Sequence, residues 1–260
     1  MNNFFDMTGS VVLVTGATGY LGKQMCLGLG AAGATVLVNS RNLDKAKALV
    51  AELTELGFSA EAAHFDVSEH HQVKSYFSNY KGRLNVIINN AYTGKGGTIE
   101  ASSSEDFTQA YEVTVNAANN LFQCCLPFLK QAVEDIGYAS VINVASMYAT
   151  VSPDLKVYES PFGSNPPFYG AAKAALLQWT RYGACEFGSQ GIRFNAISPG
   201  PFPNPEFNKQ EFCDTLSEKV PMGRIGKSTE IAGPTVFLAS QASSFVNGAN
   251  IPVDGGWTAW

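Results

Sequence analysis

Along this chain, short apolar runs alternate with longer stretches in which apolar residues recur every three to four positions. The short runs are Ser10–Thr15, Thr35–Asn39, Ala60–Phe65, Asn85–Asn89, Val141–Val144, Arg193–Ile197 and Asn250–Val253; rich in β-branched residues, they predict strands. Helices of about 10 to 20 residues are expected between them. Val11-Val12-Leu13-Val14 and Asn85-Val86-Ile87-Ile88 are almost continuously apolar, as a parallel sheet buried on both faces requires. The pattern predicts an α/β chain: one domain over 1–260, with a doubly wound parallel sheet of about seven strands. Ligands of such sheets sit along the carboxyl edge of the strands.

Two segments break the pattern. Ser152–Pro167 carries prolines at 153, 161, 166 and 167, and Pro199–Pro205 carries them at 199, 201, 203 and 205. Each follows a strand, so each is expected to be a loop walling the pocket, with one substrate loop at 151–168 and a second at 199–220. A hydrophobic fraction of 45%, a charged fraction of 15% and a net charge of -5 offer nothing to phosphate backbones or anionic lipid. Neither nucleic acid nor membrane is expected as a partner. The opening residues have no basic, apolar leader pattern and no window reaches spanning length, so a cytoplasmic protein is expected. Cys26, Cys124, Cys125, Cys185 and Cys213 are odd in number and form no paired metal motif; they read as reduced core thiols. His64, His70 and His71 lack partners at ligand spacing, and no metal is expected.

The first strand runs into Thr15-Gly16-Ala17-Thr18-Gly19-Tyr20-Leu21-Gly22, which opens a helix. Glycines in that turn let the backbone approach a pyrophosphate, whose charge the helix N-terminus meets. Between strand and helix in the first thirty residues, the motif marks a Rossmann-like dinucleotide site formed by Gly16, Thr18, Gly19, Tyr20, Leu21 and Gly22. At the end of the second strand stand Ser40 and Arg41, with no carboxylate to hold the adenosine ribose hydroxyls of NAD. An arginine there suits a 2′-phosphate, so NADP(H) is favoured over NAD(H). Asp66 and Val67, after the third strand, are placed to meet the adenine, although Asp66 also suits the start of the next helix. Asn90 and Ala91, after the fourth, are placed to brace the loop and touch the cofactor.

Tyr169 and Lys173 stand four residues apart in a helical stretch, which puts a phenol and an ammonium on one face. A nearby cation favours the phenolate, so this pair can move a proton near neutral pH. Ser146 ends the strand Val141–Val144 region on the same edge, and Asn116 lies in the long helix after the fourth strand.

With these residues the chain resembles the short-chain dehydrogenase/reductase family over essentially its whole length. The resemblance rests on the glycine turn, Asn89-Asn90-Ala91, the set Asn116, Ser146, Tyr169 and Lys173, Ser198-Pro199-Gly200, and Val253-Asp254-Gly255-Gly256. It implies Tyr169 as general acid for carbonyl reduction and general base for alcohol oxidation. It further implies that Lys173 lowers the Tyr169 pKa and holds the nicotinamide ribose. Ser146 would hold the substrate oxygen, Asn116 a water behind Lys173, and Pro199 and Gly200 the nicotinamide end. A homotetramer or homodimer is implied too, with Trp257-Thr258-Ala259-Trp260 either at a subunit contact or folded on its own chain.

Three departures bear on substrate. Gly19 stands where most members of this length carry a glycine one residue later, a spacing similar to the sugar-nucleotide-modifying branch. Tyr92 replaces the glycine that usually follows Asn-Asn-Ala, either shaping the pocket or packing on the sheet. Ser146 and Tyr169 are 23 positions apart, longer than usual, and the added segment carries Tyr158, Phe162 and Asn165. Rings and amides of this kind suit a sugar or nucleotide-sugar derivative. The expected function is NADP(H)-dependent interconversion of a carbonyl and a secondary alcohol; the alternatives are a sugar-nucleotide epimerase or dehydratase with retained NAD, or a non-catalytic dinucleotide sensor.

Overall fold

The computed structural model describes residues 3–260 and contains one seven-stranded sheet in the order β3-β2-β1-β4-β5-β6-β7. The strands are β1 (Val11–Val14), β2 (Thr35–Ser40), β3 (Ala60–His64), β4 (Val86–Asn89), β5 (Ala139–Val144), β6 (Ile192–Pro199) and β7 (Asn250–Val253). Every neighbouring pair is parallel. All seven expected strands are present. The longest gains are in β5 and β6: β6 extends to Pro199, which pairs with Val253 at the sheet edge.

Alternation along the strands sorts the core into two layers. Val12, Val14, Val36 and Val38 face one side, packing on Met25, Cys26 and Leu29 of α1 (Tyr20–Ala31), on Leu49 and Leu53 of α2 (Leu43–Glu55), and near the end of the chain on Leu238. Leu13, Leu37, Ile87 and Val141 face the other, against Val73 and Phe77 of α3 (His70–Asn79). A short α4 (Ser104–Tyr111) passes through a π turn, Glu112–Asn116, into the long α5 (Ala117–Ile136), whose Leu121, Cys125 and Leu129 join that second layer. Then come α6 (Pro167–Phe187), α7 (Gln210–Lys219) and α8 (Ala232–Ala239), which contributes Leu238. At roughly 1.5–3 kcal/mol for each large apolar side chain buried, these layers dominate the folding energy. Sequence order reverses about β1, which pairs with β2 on one side and β4 on the other. That is the switch point at which a crevice opens beyond the strand ends.

Local chemistry fixes the helix ends around the crevice. Ser103 and Asp106 form a capping box on α4, and the Asn42 side chain accepts from Lys45 N on α2. Pro167 opens α6, where a missing N–H costs nothing. Of the two expected loops, 151–168 is irregular up to the start of α6 apart from short 3₁₀ turns at Leu155–Val157 and Pro161–Gly163, whereas 199–220 is a loop only to Lys209 and then forms α7, a helix the proline-rich pattern did not foresee. They are tied together: Lys219 pairs with Asp154 at 2.5 Å, Lys209 with Glu159 at 2.7 Å, and Tyr158 packs against Phe212. Trp257 folds against Met147, Tyr148 and Val220 of its own chain, whereas Trp260 is exposed. Of the five thiols read as core residues, Cys26, Cys125 and Cys213 are buried, Cys124 is half-buried and Cys185 is exposed on α6. No helix among the described residues is long and apolar enough to cross a membrane.

Candidate active site

A cleft of about 530 Å³ opens at the carboxyl edge of the sheet. Gly16, Thr18, Gly19, Tyr20, Leu21, Gly22, Ser40, Arg41, Asp66, Val67, Asn90, Ala91, Ser146, Tyr169, Lys173, Pro199 and Gly200 all line it. These residues come from the ends of six strands, β1 to β6, and from two helices, α1 and α6, so only the fold brings them together. Asn116 is the one expected site residue that the cleft does not include.

The glycine turn fits a dinucleotide. Gly16 has φ +61°, and a Cβ there would lie 2.9 Å from the Ala91 backbone, so no side chain is accommodated. Its N–H meets the Asn39 amide oxygen at 3.4 Å, while the Asn39 nitrogen donates to the carbonyls of Ala63 and Phe65. The Thr15 hydroxyl accepts from Asn90 N at 2.9 Å and Ala91 N at 3.1 Å, and Asn90 Nδ2 donates back to Thr15 O at 2.9 Å. Asn90 thus braces the turn. The α1 N-terminus has no side-chain cap and no acidic residue in its first turn, which leaves its N–H groups to an anion. Asn39 and Thr15 were not singled out from sequence; the signal was a polar residue closing an otherwise apolar strand.

At the far end, the Ser40 hydroxyl is engaged by Asn42 N at 3.1 Å and Thr18 at 3.4 Å. The Arg41 guanidinium is exposed and enters no ion pair among the described residues. The Asp66 carboxylate accepts from Ser68 N at 3.0 Å and Ser68 Oγ at 2.6 Å, shaping the turn before α3 while facing the cleft.

At the other end stand Ser146, Tyr169 and Lys173. Ser146 Oγ accepts from Tyr148 N at 3.1 Å, leaving its own O–H free to donate. Lys173, 3% exposed, donates from Nζ to Val144 O at 2.6 Å, and burial pulls its pKa down to about 8. Burial drives the Tyr169 phenol above its ordinary value, with the Ser146 hydroxyl acting against it. The expected lowering by Lys173 is therefore absent from this arrangement. The ammonium is held at the Val144 carbonyl, 5.7 Å from the Tyr169 ring centre.

Tyr92 completes the group. Its ring meets that of Tyr169 edge-on at 4.7 Å between centres, and Lys173 Nζ lies 5.5 Å from its centre. Two aromatic faces thereby offset the cost of burying a cation. Tyr92 shapes the pocket and does not pack on the sheet as a spacer.

Behind Lys173 is a second cavity of about 10 Å³, room for about one water, lined by Thr15, Asn89, Thr114 and Lys173 among others. Thr114 Oγ1 is buried there without a partner. Asn116 donates instead to the Glu112 carboxylate at 2.6 Å, within the π turn. Thr114, in the same π turn, lines this cavity together with Lys173.

A family model described as enoyl-(acyl carrier protein) reductase matches residues 16–258. The chain is 30% identical to a tropinone reductase homolog of Arabidopsis thaliana over 262 residues, 98% of this chain and 94% of that one. The chain belongs to the short-chain dehydrogenase/reductase family. It is an oxidoreductase of that family. It is also 30% identical to gluconate 5-dehydrogenase of Gluconobacter oxydans, covering 98% of this chain and 97% of that one. Among solved structures of the family, gluconate 5-dehydrogenase from Burkholderia cenocepacia, in complex with NADP and tartrate, superposes with a TM-score of 0.87 at 29% identity. That likeness covers 99% of this chain and 98% of the other.

Proposed function

We propose that this protein interconverts a ketone and a secondary alcohol with NADP(H), on a polyhydroxylated substrate of the sugar-derived class. The observation that carries the reading is the convergence of Ser146, Tyr169 and Lys173 at one end of a cleft whose other end presents the free Arg41 guanidinium. The names of the relatives agree in kind: gluconate 5-dehydrogenase acts on a sugar acid, and its counterpart from B. cenocepacia was solved with NADP. Bound NADPH supplies the hydride. Ser146 donates its free O–H to the substrate oxygen as charge develops on it. Tyr169 gives its phenolic proton to that oxygen, and takes it back in the reverse direction. Lys173 holds positive charge behind the phenol, and Thr114 positions a water through which the proton is replaced. The 151–168 and 199–220 segments form the substrate wall, held as a pair by their two ion pairs.

The assembly and location belong to the same proposal: a cytoplasmic homotetramer, supported by Phe107, Tyr111 and Tyr182 exposed on α4 and α6. Light scattering after gel filtration checks the state, and a monomer would remove this part. The activity is tested by following NADPH oxidation with 5-keto-D-gluconate, tropinone and acyl-chain ketones. Turnover of the sugar-derived ketone with release of NADP supports the reading. Copurification with tightly held NAD and no net redox change would favour an epimerase or dehydratase.

A further inference from the structure

Two residues that line the main cleft each carry a polar atom buried without a partner: Tyr92 its hydroxyl and Asn165 its side-chain oxygen. A buried donor or acceptor left unpaired costs about 1–3 kcal/mol, so a native structure that keeps two on one wall calls for a ligand explanation. Both are rigidly mounted. Tyr92 follows Asn90 and Ala91, whose N–H groups are fixed on Thr15, and its ring is wedged on Tyr169. Asn165 precedes Pro166 and Pro167, which confine its backbone to extended conformations.

The two mounts are also strapped to each other. Gly97 N donates to Ser164 O and Ser164 Oγ donates to Gly97 O, both at 3.2 Å, with Ser164 1% exposed. The approach is close enough that a Cβ on Gly96 would lie 3.0 Å from Phe162 O and 3.1 Å from Ser164 O. The segment after β4 and the end of the long insertion thus form one wall beside the proton donor.

Resting on the carbonyl reductase reading above, we infer that Tyr92 and Asn165 are the specificity-determining pair of this site, recognising hydroxyl groups flanking the reacting carbonyl. The Tyr92 O–H donates to one substrate hydroxyl, and Asn165 Oδ1 accepts from another. A site built to bond substrate hydroxyls rejects the analogue that lacks them, because its own buried groups are then left unpaired. The substrate is therefore a polyhydroxy ketone or the corresponding polyol, and plain aliphatic ketones are excluded by unmet polar groups and not by size.

The test compares open-chain ketones matched in carbon number, erythrulose against 2-butanone and xylulose against 2-pentanone, in NADPH oxidation by the full chain. The wild type is expected to prefer the hydroxylated ketone by at least about 30-fold in kcat/KM. Tyr92→Phe keeps the ring on Tyr169 and Lys173, and Asn165→Leu removes the acceptor. Each should reduce that preference roughly tenfold, mainly through KM, while Asn165→Asp, which keeps the acceptor, retains it. An equal loss for both ketones in each variant, or a wild-type preference for the plain ketone, overturns the inference. So does the absence of both turnover and saturable binding of the hydroxylated ketones by the NADPH complex. If plain ketones are reduced well and the variants do not change the ratio, only this inference fails. If no ketone is reduced and NADPH does not bind, the underlying reading fails with it.

Discussion

Removing the Arg41 guanidinium tests the cofactor assignment, and its size follows from where that group stands. Arg41 follows β2, lines the cleft and has no ion-pair partner among the described residues, so truncation breaks no ion pair within them. Hydrogen bonds to a charged group contribute about 1.5–3 kcal/mol. Because the side chain is exposed, water and salt screen the pair, and the lower figure applies. About 1.5 kcal/mol is roughly a tenfold change in Kd. Arg41→Ala should therefore weaken NADPH about tenfold and leave NADH nearly unchanged, since NADH has no 2′-phosphate. Titrating both cofactors by fluorescence at low and high salt reads this directly. NADPH affinity of the wild type should fall more steeply with salt than that of the variant. Equal weakening of both cofactors, or an unchanged NADPH affinity, would refute the role given to Arg41.

Three further outcomes follow from the same geometry. With Tyr169 held above its ordinary value by burial, the phenol stays protonated through neutral pH; carbonyl reduction should be level there, while alcohol oxidation, which needs the phenolate, should climb with pH. A reversed pair of pH profiles would mean that another group transfers the proton. Thr114→Val should lower kcat roughly fivefold with NADPH affinity retained, whereas Asn116→Ala should change kcat less than about twofold, and steady-state kinetics on the two variants separates them. Gly16→Ala combines backbone strain of about 1–2 kcal/mol with a Cβ against Ala91, so calorimetry should show a Tm lower by several degrees and NADPH binding weakened more than tenfold.

The fold was legible because β-branched runs and helical periodicity are local properties, and a buried parallel sheet leaves an apolar signature on every strand. The place of the glycine turn, Arg41, Ser146, Tyr169 and Lys173 along the cleft was legible for a related reason: each lies at the end of a strand or in the first two turns of a helix whose boundary the pattern marks. What escaped depended on register or on contacts remote in sequence. Asn116, read as the water-positioning residue, bonds Glu112 within the π turn Glu112–Asn116, and Thr114 of that turn shares a small cavity with Lys173. Regular helical spacing does not foresee a π turn. Tyr92 was ambiguous because its role is set by Tyr169 and Lys173, some eighty residues onward. The i,i+4 spacing of Tyr169 and Lys173 gives a shared face but not the hydrogen bond from Lys173 to the Val144 carbonyl, which depends on a strand some thirty residues earlier. Cys185 was read as a core thiol with the other four, yet it is exposed on α6.

The central claim is that Tyr169 delivers the proton that accompanies hydride transfer, and single-turnover reduction of a polyhydroxy ketone by the NADPH-loaded Tyr169→Phe variant tests it most directly. The account predicts NADPH binding within about threefold of the wild type and a hydride-transfer rate lower by at least about 100-fold, the scale of a lost general acid. A variant that binds NADPH normally and transfers hydride at near the wild-type rate would contradict it.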